Sequence, residues 1–513
     1  MKPFYYIITL SCLLTICACS KDLGNYNYQE INELTIEGVK SEYIVRTGLD
    51  TLVITPDISD KIDGTDPSRY SYYWIMREGQ VFYDTVGREK DLRYPINLSA
   101  KDHDLFYRVL DKVTGVSWVA NSKVKVSTPY SRGILIMGED EEGYAEAEML
   151  SMLPDTVYIP NILSKTTLPK LRGPISMFHT SGADLYSRLW VMTKSGSYFL
   201  DRALMTGTSN NNFGRLTFIS DDIDVSTMHP AVVAPQIREV KGSTGSTLYR
   251  ALVTTGGDVF ASVPLLMGGD FYNNPINRLT SAPTQRIPAA PYLLYPINTM
   301  STVMWYDTKN NRFMNFTGIG ISTSSTSLTD GANDVFPWNQ PAGRTLVYAE
   351  NTRNTDEGST HGNSFAVMKD MDNTCQIYKF YANGTNPAKR ASYTVKSMAT
   401  DFYKADHYAF SSNRSVIFYA VGNKLYAYDY NPGFEKIYTF PEIQDPITML
   451  KFDTQIDHVT NSLYIATYNP VTKGTLSRYR VGTNPNVVEL LPQENSSWSG
   501  MIKIKDINWR AIN

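Results

Sequence analysis

The chain has 513 residues, of which 19% are charged, with a formal net charge of −3 and 35 tyrosines. A chain this long is able to bury more than one core, and a charge this close to balance excludes the basic footprint by which proteins hold nucleic acid. Four cysteines are too few for a fold held together by cross-links.

The first element reads as an export signal. Met1-Lys2 is a charged head, and Pro3 to Ile16 is dominated by Phe, Tyr, Ile, Leu and small residues. This run falls short of the roughly 20 apolar residues that a spanning helix needs and fits the hydrophobic region of a cleaved signal. No second apolar run approaches spanning length. The signal ends in Ile16-Cys17-Ala18-Cys19, which resembles the bacterial lipobox, an aliphatic residue and two small ones before a cysteine. The resemblance implies cleavage after Ala18, a diacylglyceryl group on Cys19 and acylation of the new amine. Cys17 is the second candidate, with Leu14 three residues before it but bulky Ile16 in a small residue's place. An ordinary secretory signal with incidental thiols is the competing reading. Each buried methylene contributes about 0.8 kcal/mol, so several acyl chains make a lasting anchor. Residues 1–18 are thus read as signal peptide and 19–30 as lipidated tether. On this reading Cys12 and Cys17 leave with the signal and Cys375 alone stays in the body. A lone thiol forms no internal disulfide, and Asn373-Thr374-Cys375-Gln376-Ile377 has no neighbouring His, so Cys375 is expected as a buried strand residue.

Residues 31–128 read as short strands between turns. Glu42-Tyr43-Ile44-Val45 and Asp50-Thr51-Leu52-Val53-Ile54 come first, then Tyr70 to Met76, Leu105 to Leu110, and an alternating run from Val116 to Val126. Strands at this spacing suggest an immunoglobulin-like β-sandwich. The Tyr72-Tyr73-Trp74 strand and the later Tyr107-Arg108-Val109-Leu110-Asp111 strand resemble the PKD fold, although Arg77-Glu78-Gly79 stands where that fold has a glycine–aspartate turn. Trp74 is expected in the core.

Residues 129–513 repeat one unit: an apolar strand, a short Gly, Asn or Asp turn, and a strand rich in aromatic residues. It recurs from Gly133, Arg188, Tyr249, Val303, Ser364, Ser415 and Ser462. Seven such units at intervals of about 40–60 residues match the signature of propeller blades, with six or eight blades as alternatives. Each small sheet buries its faces only against its neighbours, so the ring has to close. Met501-Ile502-Lys503-Ile504-Lys505-Asp506 is the candidate closing strand beside the first unit. The fold class expected is all-β, a sandwich followed by a β-propeller.

Over its whole length the chain resembles the PKD-like lipoproteins of the Bacteroidetes, on the lipobox, on Lys21-Asp22-Leu23-Gly24-Asn25-Tyr26-Asn27-Tyr28 and on Ile31-Asn32-Glu33-Leu34-Thr35-Ile36. The resemblance implies a non-enzymatic accessory role, binding an oligosaccharide or peptide or docking on a SusC/SusD-like nutrient-uptake complex. Ser20-Lys21-Asp22 resembles the sorting tag that sends such lipoproteins to the outer leaflet of the outer membrane. Asp50-Thr51-Leu52, Asp84-Thr85-Val86 and Asp155-Thr156-Val157 resemble the O-glycosylation triplets of the same phylum.

The chemistry-bearing residues are sparse. Glu139, Asp140 and Glu141, with Glu146 and Glu148 beyond, form the densest carboxylate run. Hard cations take several oxygen ligands, but the calcium-loop spacing is missing and a solvated hairpin turn is the favoured reading. The Asp221-Asp222-Ile223-Asp224 and Asp370-Met371-Asp372 runs read as turns. Six histidines, at 103, 179, 229, 361, 407 and 458, show no metal-ligand spacing, so no metal or other cofactor is expected beyond the covalent lipid on Cys19. No G-x-S-x-G, P-loop or dinucleotide fingerprint is present, and no catalytic residue is assigned. A cell-surface hydrolase or lyase, with its site on a propeller face, stays as the alternative. Aromatic residues in polar loops are the ligand-binding candidates: Trp338, Tyr272 and Trp498, whose flat rings beside amides suit a sugar or an extended peptide.

Overall fold

The computed structural model describes residues 33–60, 67–79, 82–180, 187–219, 223–224, 228–237, 248–319, 322–441, 443–456 and 462–511. The signal, Cys19, Ser20, Lys21 and Asp22, together with Asp221, Asp222 and His458, lie outside the described residues. The chain divides into two compact units, the first ending at Lys125 and the second made of Val126–Asn513 with two short earlier segments.

The first unit is a sandwich of antiparallel strands. Its main sheet runs in the order Glu42–Arg46, Ser117–Ser127, Asp102–Asp111, Tyr70–Glu78, Phe82–Gly87, and two two-stranded sheets accompany it. Strand Asp102–Asp111 alternates strictly between buried and more exposed positions, as a half-buried strand must. Trp74 and Tyr107 are fully buried and stack with centroids 4.1 Å apart, while the Trp74 indole N–H donates to the Glu89 carbonyl at 3.1 Å. Trp74 is therefore core, as expected. The turn after Asp111 is held by that residue's buried carboxylate, which accepts from Arg69 at 2.8 Å and from the Val113 N–H at 2.8 Å. The Arg69 guanidinium holds this carboxyl well below the usual carboxylate range, and Gly115 closes the turn at φ +72°, where a side chain would be strained.

The second unit is a β-propeller. Among the described residues it has seven small antiparallel sheets, and the seven hairpins read from the sequence are the paired strands at their centres. Gly143, Gly257, Asn311, Asn373, Gly422 and Lys473 lie at these hairpins with positive φ, which is why Gly and Asn recur there.

The hairpin strands are apolar at successive positions because both of their faces are covered. In Arg132–Glu139, Ile134 and Ile136 point into a cluster shared with the seventh sheet, while Leu135 and Met137 point into one shared with the second. The same alternation separates Val303 and Trp305 from Met304 and Tyr306 in the fourth sheet. Seven clusters result, one between each pair of neighbouring sheets. Burial of apolar surface, at about 25 cal/mol per Å², therefore acts between sheets, and an open ring would leave two faces wet.

Closure comes from the end of the chain. Lys503–Ala511 pairs antiparallel with Arg132–Glu139, so the first sheet is built from both ends of the unit, and the closing strand expected from Met501 to Asp506 is present. Gly133 is required there: at φ +150° an added Cβ would lie 1.9 Å from the Leu150 carbonyl oxygen.

Candidate functional site

Each central hairpin has a further strand or segment on its inner side. These are Lys503–Ala511, Pro174–His179, Pro230–Ala234, the stretch 291–295, Thr345–Asn351, His407–Phe410 and Ile447–Phe452. All seven contribute to two adjoining cavities of about 500 and 360 Å³, which share Gln236, Tyr295, Lys451, Lys505 and Asp506. This is the inner channel of the propeller, within the size range of small-molecule sites.

One side of the channel is a closed polar network. The Lys451 ammonium donates to Asp506 Oδ1 at 2.8 Å, to the Ile507 carbonyl at 2.6 Å and to Asn508 Oδ1 at 3.2 Å. The Asn508 amide donates to Ser176 Oγ at 2.8 Å and to the Met177 carbonyl at 3.1 Å. The seventh, first and second sheets are thereby tied together, and Lys451 has no N–H left to offer.

Opposite, Tyr348 and Glu350 project from Thr345–Asn351. The Tyr348 hydroxyl donates to Glu350 Oε2, and the Phe410 N–H donates to Oε1 at 2.8 Å. Burial pushes the Glu350 carboxyl up to about 7, against the downward pull of Tyr348, Phe410 and Lys451. Tyr292 meets Tyr348 edge-on at 5.9 Å, and the Tyr408 ring lies tilted against Tyr348 at 5.5 Å. Burial lowers His407, Asp406 opposes that shift and Lys505 adds to it, so the imidazole is neutral at pH 7 and both charges act on its ring. Lys505 is exposed to the channel and makes no hydrogen bond or ion pair among the described residues.

The aromatic residues expected to meet a ligand are elsewhere, and two of them require correction. Trp338 is 3% exposed, wedged between the fourth and fifth sheets against Phe313 at 5.5 Å and Phe380 at 5.4 Å. Its loop is drawn inward because the Asp330 carboxylate accepts the Trp338 and Asn339 N–H groups at 2.5 and 3.1 Å. Tyr272 is fully buried between the second and third sheets, against Phe213 and Phe260, and its N–H donates to the Leu216 carbonyl at 2.8 Å. Neither presents a ring face to a ligand. Trp498 is half-buried on the outer strand Leu490–Met501, packed against the cluster between the seventh and first sheets.

The carboxylate run is dispersed in the same way. Glu139 pairs with Lys503 at 3.6 Å and Glu141 with Lys473 at 2.8 Å. Asp140 accepts the Glu142 and Tyr144 N–H groups at 2.9 and 2.8 Å, which makes the turn. Glu146 organises the 163–164 turn by accepting the N–H groups of Leu163 and Ser164, and Glu148 accepts from the Tyr158 hydroxyl and the Ile502 N–H. Among the described residues no group of three or more His, Cys, Asp and Glu side chains could hold a metal ion. Cys375 is buried in a strand, and burial pushes its thiol up to about 11, which is unsuited to a nucleophile. Thr51, Thr85 and Thr156, the centres of the three triplets, are all exposed.

Sequence reasoning missed Tyr348, Glu350, Lys451 and Lys505 as site residues. They lie on the short inner strands, whose mixed polarity resembles that of a loop, and only the alternation of Lys503-Ile504-Lys505-Asp506 pointed to any of them.

The fold and channel define an all-β protein with a PKD-like sandwich and a propeller. Residues 19–172 match the model of the PKD-like family. The match runs beyond the sandwich to include Arg132–Glu139, Ala145–Met152 and Thr156–Ile159 of the first propeller sheet. No curated protein matches the chain. Among solved structures, a quinonprotein alcohol dehydrogenase-like protein from Bacteroides thetaiotaomicron is similar at 13% identity, over 92% of this chain and 97% of that one, with a TM-score of 0.39. An auxiliary nutrient binding protein from the same species is similar at 9% identity, over 84% of this chain and 93% of that one, with a TM-score of 0.31. These likenesses assign no activity, and the fold stands on the sheets and clusters described above.

Proposed function

We propose that this chain is a binding protein held at the outer face of the outer membrane by a lipid on Cys19, and that it serves as a non-enzymatic accessory of a SusC/SusD-like nutrient-uptake system. An oligosaccharide or peptide is its ligand, and the propeller channel takes it. The observation that carries this reading is the channel itself, lined by the inner strands of every sheet and furnished with tyrosines, an amide and fixed charges. Calorimetry with a panel of glycans and peptides tests it: Tyr348→Ala weakens binding of whichever ligand is captured, and absence of binding across the panel overturns the reading.

One observation favours the hydrolase or lyase alternative, because a carboxyl held near neutrality in a cavity, like that of Glu350, suits a general acid. Product formation in the same incubations, abolished by Glu350→Gln, would replace the binder by an enzyme. The location is tested separately. Cys19→Ala removes the acyl mass and releases the protein from membranes, and survival under protease on intact cells, where a surface marker is lost, refutes outward exposure.

A further inference from the structure

Glu350, Asp506 and Lys451 have their polar atoms engaged by neighbours within the protein. A ligand entering the channel therefore finds few groups free to answer it. Two charged ones remain, Lys505 and Asp406. Lys505 is exposed and unengaged among the described residues, and Asp406, also exposed, spends one oxygen on the Gly422 N–H at 2.9 Å. Both act on His407, which is neutral, and the tyrosines at 292 and 348 line the same cavity.

From this arrangement, and resting on the binding reading above, we infer that the channel selects a carboxylated sugar of the uronic acid class, its carboxylate on Lys505, its hydroxyls on Asp406 and its ring against Tyr292 and Tyr348. The chemistry follows from what is free. An ammonium without a partner answers a carboxylate through a charge-assisted hydrogen bond, a carboxylate oxygen accepts from hydroxyls, and half-buried tyrosines present apolar ring surface with a polar tip. A cationic ligand would find Asp506 already neutralised by Lys451 and would meet Lys505 as a repelling charge, with Asp406 alone to attract it. Near neutral pH Glu350 is partly protonated, which limits its repulsion of an anion.

The test is calorimetric titration of the protein with digalacturonate and with galactobiose, which differ in carrying a carboxylate or a hydroxymethyl group at each ring. Digalacturonate is expected to bind at least roughly tenfold more tightly, with the preference weakening as salt rises. Lys505→Gln is expected to abolish the preference and Lys505→Arg to keep most of it. Asp406→Asn is expected to weaken both sugars. Lys505 is exposed, so these variants keep the fold, checked by an unchanged unfolding midpoint. Equal binding of the two sugars, or a preference untouched by Lys505→Gln, overturns the inference while leaving the binding reading in place. If neither sugar binds, the inference falls, and the wider glycan and peptide panel alone decides the binding reading.

Discussion

Glu148 gives the sharpest test of how the ring is closed. It lies in the middle of Ala145–Met152 at 3% exposure, accepting from the Tyr158 hydroxyl at 2.6 Å and from the Ile502 N–H at 3.2 Å, where the chain turns into the closing strand. Burial raises its carboxyl from the ordinary 4.5 to about 7; Tyr158 and Ile502 pull it down, and Glu146 adds to the rise. An acid whose folded value is raised leaves the folded state holding a proton that the unfolded chain has released, so stability falls as pH climbs from 4.5 to about 7 and is level above. A gap of about 2.5 pH units, at about 1.4 kcal/mol each, makes about 3.5 kcal/mol in all. Most of it, about 2.5 kcal/mol, is lost between pH 5 and pH 8. Glu148→Gln removes this dependence and leaves one acceptor oxygen for the two donors that the carboxyl meets, at a cost of about 1–2 kcal/mol. The variant is expected to be slightly less stable than the parent at pH 5 and about 1–2 kcal/mol more stable at pH 8. Urea unfolding followed by tryptophan fluorescence at the two pH values measures this. A difference between the two proteins that stays constant from pH 5 to pH 8 refutes the reasoning.

Trp338→Ala opens a cavity between the fourth and fifth sheets and is expected to cost about 3–5 kcal/mol in the same assay, with the channel's affinity for a captured ligand unchanged. A loss of affinity at preserved stability would return Trp338 to the ligand site. Truncation before Lys503 leaves Arg132–Glu139 with an unpaired edge, which invites pairing between chains. Size-exclusion chromatography is expected to show aggregates, and a monomer with an unchanged unfolding midpoint would show that closure does not depend on this strand.

The seven central hairpins were legible in the sequence because each strand is covered on both faces and flanked by a short polar turn, left-handed in six of the seven, so its apolar run stands out from any loop. The buried Trp74 and the closing strand were legible on the same local grounds, as alternation and composition. The residues that line the channel were not. Trp338 and Tyr272 sit in polar segments, and their burial follows from hydrogen bonds to Asp330 and Leu216, partners that no local pattern reveals. Glu139, Asp140 and Glu141 are adjacent in sequence, yet each meets a different partner once the hairpin turns.

By itself the sequence determined the all-β class, the repeated unit and the core tryptophan of the sandwich, because these depend on periodicity over a few residues. Only the tertiary structure decided which residues share the channel. Tyr348, Glu350, Asp406, Lys451 and Lys505 come from four of the seven sheets, and they meet because closing the ring is the way each sheet finds cover for its second face.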